Sequence, residues 1–166
     1  MSNTVELDKK VSDFSAETNE GTIHLKDFAG KYLVLYFYPK DNTPGCTNES
    51  KDFRDHYDAF TALNAEIVGV SRDSLKSHQN FIDKHNLPFE LIADTEETLC
   101  QQFDVIKEKN MFGKIGRGIE RSTFLINPKG VLIAEWRKVK VAGHVAEVLQ
   151  TCLLYTSDAA DDIALV

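Results

Sequence analysis

KYLVLYFYP (residues 31–39) is an aliphatic and aromatic run in which no polar residue alternates with the apolar ones. A strand with one wet face alternates, whereas a strand covered on both faces does not, so the run predicts a central strand of a sheet with layers on both sides. Pro39 closes it, because proline has no N–H to give to a sheet ladder. Beyond it, TPG leads into CTNESKDFRDHYDAFTAL, where Phe53, Tyr57 and Phe60 recur at helical spacing between charges. That pattern predicts one helix from near Thr43 to about Leu63, with Cys46 in its first turn.

Further along, AEIVGVSRD reads as a strand, SLKSHQNFIDKHN as a helix capped by Ser74, LPFELIAD as a strand, and TEETLCQQFDV as a short helix capped near Asp94 or Thr95. IKEKNMFGKIGRGI, basic and bearing glycines, reads as a loop. ERSTFLIN and VLIAEWRKVK flank the turn PKG as a hairpin, and AGHVAEVLQT begins an amphipathic helix. Upstream, DFSAETNEGTIHLKDFAG reads as a small hairpin and a helical turn. The order β, α, β, α, β, α, β, β, α implies an α/β domain, a central mixed β-sheet flanked by helices on both faces.

The 166 residues, 42% of them hydrophobic, suffice for one domain with its own core. Nineteen lysines and arginines stand against 26 acidic residues, a net charge of −7, which argues against a nucleic-acid or anionic-membrane partner. No stretch approaches a membrane span and the N-terminus lacks a signal-like apolar core, so the expected location is the cytoplasm. Residues 1–151 read as the domain. CLLYTSDAADDIALV (residues 152–166) departs from the helical pattern, and the codon string TGT CTC TTA TAC ACA TCT GAC GCT GCC GAC, which encodes its first ten residues, resembles the end of a transposon-based sequencing adapter. The tail, with Cys152, is therefore expected to be non-native.

Cys46, Cys100 and Cys152 form no C-x-x-C and no Cys/His metal spacing, and the five histidines lie in separate elements. No metal or other cofactor is expected, and the histidines are expected in surface or capping roles. Cys46 differs from the other two thiols. In a first helical turn, unpaired amides and the helix dipole favour negative charge, the reactive form of sulfur. Pro44 has no N–H to leave unsatisfied there, Gly45 would let a small substrate come near the backbone, and Thr43 would cap the helix or aim its hydroxyl at the sulfur. The same features also fit a small buried hydrophobe behind a capped helix start.

Pro39, Thr43 and Cys46 are spaced P-x-x-x-T-x-x-C, and FYPKDNTPGCT resembles the peroxidatic motif of peroxiredoxins, in particular of the bacterioferritin-comigratory or Q-type subfamily. SRDSLKSHQNFIDKHNLPF, LIAD, FDVIKEKNMFGKIGRGIERSTFLINPKG and EWRKVKVAGHVAEVL resemble that subfamily in the same order, over roughly residues 5–150. The resemblance implies a thioredoxin-like fold and reduction of hydrogen peroxide and alkyl hydroperoxides. It implies Cys46 as the nucleophile that becomes a sulfenic acid, Pro39 packed over the site, Thr43 in contact with peroxide and sulfur, Arg121 as the catalytic arginine, and Glu49 orienting Arg121. Monomers are the common state of such relatives.

One departure stands out. Many Q-type members carry a second, resolving cysteine five residues after the first, where this chain has Lys51, and others carry it on the next helix, where this chain has Phe81 and Asp83. Cys100 resolves Cys46 only if the two Cα atoms come within ~6 Å. The remaining expectation is a one-cysteine route in which thioredoxin, glutaredoxin or glutathione regenerates Cys46. A non-enzymatic redox sensor is the alternative.

Overall fold

The structure is a computed structural model that describes residues 4–164, with every side chain in that range except those of Lys109, Met111 and 157–164. In chain order the elements are β1 (Ser15–Thr18), β2 (Gly21–His24), a 3-10 turn (Leu25–Phe28), β3 (Tyr32–Phe37), α1 (Pro44–Asp55), α2 (Tyr57–Ala62), β4 (Ala65–Ser71), α3 (Leu75–His85), β5 (Glu90–Ala93), α4 (Thr98–Gln102), β6 (Ile106–Met111), β7 (Lys114–Ile119), β8 (Ser122–Ile126), β9 (Leu132–Trp136) and α5 (His144–Ala164). Seven strands form one sheet in the order β2-β1-β5-β4-β3-β8-β9. The strands β3, β4 and β5 run parallel, while β8 is antiparallel to β3 and β9 to β8. This is the mixed sheet that the apolar run 31–39 implies.

Because successive strand residues point to opposite faces, β3 divides the core in two. Leu33, Leu35 and Phe37 enter one cluster with Leu99, Cys100, Phe103 and Phe124. Val34, Tyr36 and Tyr38 enter the other, with Cys46, Phe53, Phe60, Phe81 and Val148. Helices α1, α2, α3 and α5 therefore cover one face and α4 the other.

Three local expectations change. The helix foreseen over 43–63 is two helices, α1 and α2, separated at His56, whose backbone leaves the helical region (φ −104°, ψ 5°) and whose Nδ1 lies 2.8 Å from the Asp52 carbonyl. Phe53 and Phe60 pack into the same cluster, so the apolar spacing carries straight across the break. The segment read as a loop is the hairpin β6–β7, registered from Ile106 opposite Ile119 to Met111 opposite Lys114. Its two turn residues, Phe112 (φ 55°) and Gly113 (φ 81°), are both left-handed, as a tight hairpin turn requires. The usual Asn-Gly or Asp-Gly signal is missing.

The third concerns the tail. Helix α5 continues to Ala164 instead of losing its pattern after Thr151. Val145, Val148, Leu149 and Cys152 form one apolar stripe at helical spacing, so Cys152 extends the core face and is fully buried. Tyr155 donates its hydroxyl proton to the Ile133 carbonyl at 3.0 Å. Residues 165 and 166 and the side chains from 157 lie outside the described set. Among the described residues no helix is long and apolar enough to cross a membrane.

Gly69 in β4 shows how tightly the α1 side is packed. A Cβ at that position would lie 2.7 Å from Leu91 Cδ2 and 2.8 Å from Tyr36 Cζ, and Tyr36 in turn shares a 2.9 Å hydrogen bond with Ser50 of α1. Gly69→Ala is expected to lower stability by about 1–3 kcal/mol in urea unfolding; an unchanged midpoint would show that Tyr36 has room to move.

Candidate active site

Thr43 is extended (φ −92°, ψ 151°) and Pro44 occupies the first helical position, so α1 starts abruptly and Cys46 becomes its third residue. The first amide with a helical acceptor is that of Thr47, which donates to the Thr43 carbonyl at 2.9 Å; those of Gly45 and Cys46 have no intrahelical partner, as at any helix start. The Thr43 hydroxyl makes no cap on α1 and donates to the Lys40 carbonyl at 2.8 Å. Helix α1 is held to the sheet by Phe53 stacked on Tyr36, with 4.5 Å between centroids, and by the Tyr36–Ser50 bond. The result is a thiol facing the sheet, 1% exposed. Pro39 is half-buried in the loop before α1.

Arg121 reaches this sulfur from a distant part of the chain. It immediately precedes β8, whose pairing sets Ser122 opposite Phe37, so the register delivers the guanidinium to the end of β3 from which α1 departs. Nη2 donates to Cys46 Sγ at 3.4 Å and Nη1 to Glu49 Oε1 at 2.7 Å. Glu49 lies three residues after Cys46, on the same helical face. Three of the residues expected from the sequence are thus brought together, and Gly45 acquires a reason different from the one foreseen. A Cβ there would sit 3.1 Å from Arg121 Nη2, so the missing side chain makes room for the guanidinium.

The charges explain each other. Burial opposes the Arg121 charge, but Glu49 and Cys46 more than offset it and raise the arginine above its ordinary value. Burial pushes the Glu49 carboxyl up to about 7, against the downward pull of Arg121. Glu49 is fully buried, and its second oxygen, Oε2, has no hydrogen-bond partner. A half-satisfied carboxyl beside a guanidinium gains most from that one partner.

Two histidines are buried, contrary to the surface role expected of them. His144 Nε2 lies 2.7 Å from the Thr123 hydroxyl, with Phe53 and Trp136 edge-on to its ring. Burial, then the nearby Arg121 charge, lower it to about 4, so it is neutral at pH 7. His78 joins Asp41 and Asp73 in a cluster whose ligand atoms lie within 4.8 Å of one another. Each of these atoms has a hydrogen-bond partner. The Asp41 carboxylate accepts from Tyr38 and Ser77 and meets His78 Nδ1 at 2.8 Å, Asp73 accepts from Ser71 and from the Asp41 amide, and His78 Nε2 faces the Ile92 carbonyl. The cluster fastens the 38–43 loop to β4, β5 and α3. Spacing does not reveal it, because Asp41 is 37 residues from His78; the cue in the sequence is only two polar residues, Asp41 and His78, beside apolar runs.

The other cysteines are not brought to Cys46. Cys100 belongs to the cluster on the opposite face of the sheet. Its amide donates to Asp94 at 2.7 Å, and burial with Asp94 pushes its thiol well above the ordinary range. Cys152 shares the Cys46 cluster but enters it from α5, and its charge is felt at Tyr32, at the start of β3, whereas that of Cys46 is felt at Tyr36, four residues on. Burial raises the Cys152 thiol to about 11.

The Glu49 environment has a consequence for stability. Its carboxyl holds a proton up to about pH 7 in the folded protein but only to about 4.5 when unfolded. The folded state therefore binds more protons between those values, and stability falls as pH rises through that window. Glu49→Gln removes this part of the profile, so between about pH 4.5 and 8 the variant's stability in urea unfolding is expected to lack the parent's fall with rising pH, whatever its offset from the parent; parallel profiles would show that Glu49 ionises normally.

The AhpC/TSA family profile matches residues 7–135. The chain is 56% identical over 149 residues to Peroxiredoxin Bcp of Bacillus subtilis (strain 168), covering 89% of this chain and 95% of that one, and 53% identical over 146 residues to Peroxiredoxin Bcp of Xanthomonas campestris pv. campestris, covering 87% and 91%. Among solved structures, Peroxiredoxin Q of Xanthomonas campestris superposes with a TM-score of 0.83 at 51% identity, over 86% of this chain and 91% of that one. A trapped intermediate/ligand complex of the Xanthomonas campestris bacterioferritin comigratory protein, concerned with its alkyl peroxide reduction activity, gives 0.83 at 50% identity, over 86% and 92%. A thiol held against a guanidinium at a helix start, on a thioredoxin-like sheet and with such relatives, leads to one conclusion: the chain is a thiol peroxidase and belongs to the AhpC/TSA family, as a peroxiredoxin.

Proposed function

We propose that Cys46 is the peroxide-reducing nucleophile, that hydrogen peroxide and alkyl hydroperoxides are its substrates, and that an external thiol regenerates it by a one-cysteine route. The observation that carries this reading is the Arg121 fork, with one arm on Cys46 Sγ and the other on Glu49. A charged donor beside the sulfur favours the thiolate and also faces the place where charge develops on the leaving oxygen. The thiolate bonds to one peroxide oxygen, the O–O bond breaks, and the other oxygen leaves with the electron pair and takes a proton to become water or an alcohol. Cys46 is thereby oxidised by two electrons to the sulfenic acid. Thr43, at the mouth of α1, contacts the peroxide, and Pro39 covers the site.

The placement of the thiols supports this route of regeneration. Lys51 stands where many relatives keep a resolving cysteine, and Cys100 and Cys152 are held elsewhere in the core. An incoming thiol, from thioredoxin, glutaredoxin or glutathione, condenses with the sulfenic acid to a mixed disulfide and water, and a second thiol reduces that disulfide. The cytoplasm keeps such thiols reduced. Every catalytic group named here comes from one chain, which supports action as a monomer.

Cys46→Ser is expected to abolish peroxide consumption, while Cys100→Ser and Cys152→Ser retain it. Mass spectrometry after one equivalent of peroxide should find a trapped sulfenic acid on Cys46, and a Cys46–Cys100 disulfide instead would overturn the one-cysteine route. Arg121→Gln is expected to slow the first step by about 10²–10³ in stopped-flow kinetics, the loss typical of a donor that stabilises developing charge. An unchanged rate would remove Arg121 from the chemistry.

A further inference from the structure

At the end of the sheet remote from Cys46, a cavity of about 530 Å³ opens between the segment 10–13, the 3-10 turn and the 126–130 turn. Its walls are largely apolar: Phe28, Ala29 and Pro128 keep accessible surface there, over Val11, Leu25, Leu33 and Ile126 of the core cluster opposite α1. Four lysines, Lys10, Lys26, Lys31 and Lys129, stand around it, and all four are exposed. Among the described residues none of their ammonium groups takes part in an ion pair or donates a hydrogen bond. The one acidic residue of the lining, Asp13, accepts the Lys26 amide proton at 3.1 Å. Four positive charges against one negative therefore surround a greasy hollow in a chain whose net charge is −7.

A cavity of this size is in the range that holds small organic ligands, which bury most of their surface on apolar walls and take their orientation from a few polar groups. A neutral apolar ligand would leave the lysines unused, and a small inorganic anion would leave the apolar walls wet. The combination fits a molecule with both parts. We propose that this cavity binds an amphipathic anion, a medium- or long-chain carboxylate whose acyl chain lies along Phe28, Ala29 and Pro128 and whose carboxylate sits among the lysines. Each methylene moved from water onto the apolar wall tightens binding by about fourfold, and the exposed lysines supply a weaker, salt-sensitive attraction that selects the charged end. The inference does not rest on the peroxidase reading, because Leu33 lies four residues, about 13 Å, from the Phe37 end of β3 where Arg121 and Cys46 meet.

Titration of the full ¹⁵N-labelled chain with octanoate, followed by amide chemical shifts, tests it. The expected result is saturable one-to-one binding that moves the amides of Ala29, Lys31, Lys129 and Gly130 and leaves that of Cys46 unmoved. The neutral 1-octanol should bind at least about fivefold more weakly, acetate should not saturate, and raising the salt should weaken octanoate alone. The double variant Lys26→Glu, Lys129→Glu alters only exposed side chains; it should keep the dispersed spectrum and the peroxidase rate of the parent and bind octanoate about tenfold more weakly, with octanol unaffected. Equal affinity for octanoate and octanol overturns the proposal, as do shifts centred elsewhere, undiminished octanoate binding by the variant, or binding to anionic vesicles without saturable octanoate binding.

Discussion

The site depends on one buried ion pair that crosses the gap between sheet and helix. Arg121 Nη1 and Glu49 Oε1 are 2.7 Å apart, and the Glu49 side chain is wholly out of solvent while that of Arg121 is 16% exposed. Removing a carboxylate from water costs several kcal/mol, and a partner repays that only where the geometry is good. Here one oxygen is repaid and Oε2 is not, so the carboxyl is raised and the guanidinium is the group that best relieves it. The arginine is thereby held by Glu49 on one arm, which fixes where its other arm points. It points at Cys46 Sγ. The orientation of the Arg121 guanidinium toward Cys46 is thus a by-product of burying an acid that would otherwise be intolerable, and breaking such a pair costs about 3–5 kcal/mol, a large share of a domain's stability.

That arrangement works only if α1 starts at a fixed place, and a second buried cluster sets it. Asp41 takes protons from Tyr38 and Ser77 and faces His78, while His78 also faces the Ile92 carbonyl. Both ring nitrogens of His78 thus face oxygen atoms, which fixes the plane of the ring. Burial alone would raise the Asp41 carboxyl, yet its bonds to His78, Tyr38 and Ser77 hold it below the usual range. The loop leaving β3 is therefore pinned at its midpoint to β4, β5 and α3, and Pro44 begins α1 from a fixed origin. Two networks of different composition, one on each side of the helix start, confine Cys46 between them.

What could be read in the sequence divides along the range of the interactions. The central strand, the start of α1 and the Ser74 cap of α3 are local facts, and the residues that cause them are adjacent in the chain; Ser74 does accept the Ser77 amide. The break at His56 and the hairpin at Phe112-Gly113 are also local, but their signals are weak, since apolar spacing runs through the first and a phenylalanine takes the left-handed place in the second usually filled by asparagine or aspartate. The meeting of Arg121 with Cys46 spans 75 residues and depends on the register of β8 against β3. No local pattern contains it, and only the family resemblance pointed there. The burial of His78 and His144 was invisible for the same reason, because their partners Asp41 and Thr123 lie 37 and 21 residues away.

Under the proposed one-cysteine route, the burial of Cys46 bears on the last step as well as on the first. Cys46 is 1% exposed, in the first turn of α1. A peroxide is far smaller than a protein dithiol, so the two need very different openings to reach a sulfur this buried. In a one-cysteine route the attacking sulfur must come within bonding distance of Sγ, so a bulky reductant needs the first turn of α1 to loosen. The groups that resist such loosening are Ser50 on Tyr36, Phe53 on Tyr36 and Glu49 on Arg121. All three lie C-terminal to Cys46, and the segment N-terminal to it is anchored at Asp41, five residues earlier. Around the stretch between Asp41 and Cys46 lie two local hydrogen bonds, the Thr43 hydroxyl to the Lys40 carbonyl and the Thr47 amide to the Thr43 carbonyl, and under the proposed one-cysteine route these are the bonds that a bulky thiol would have to loosen.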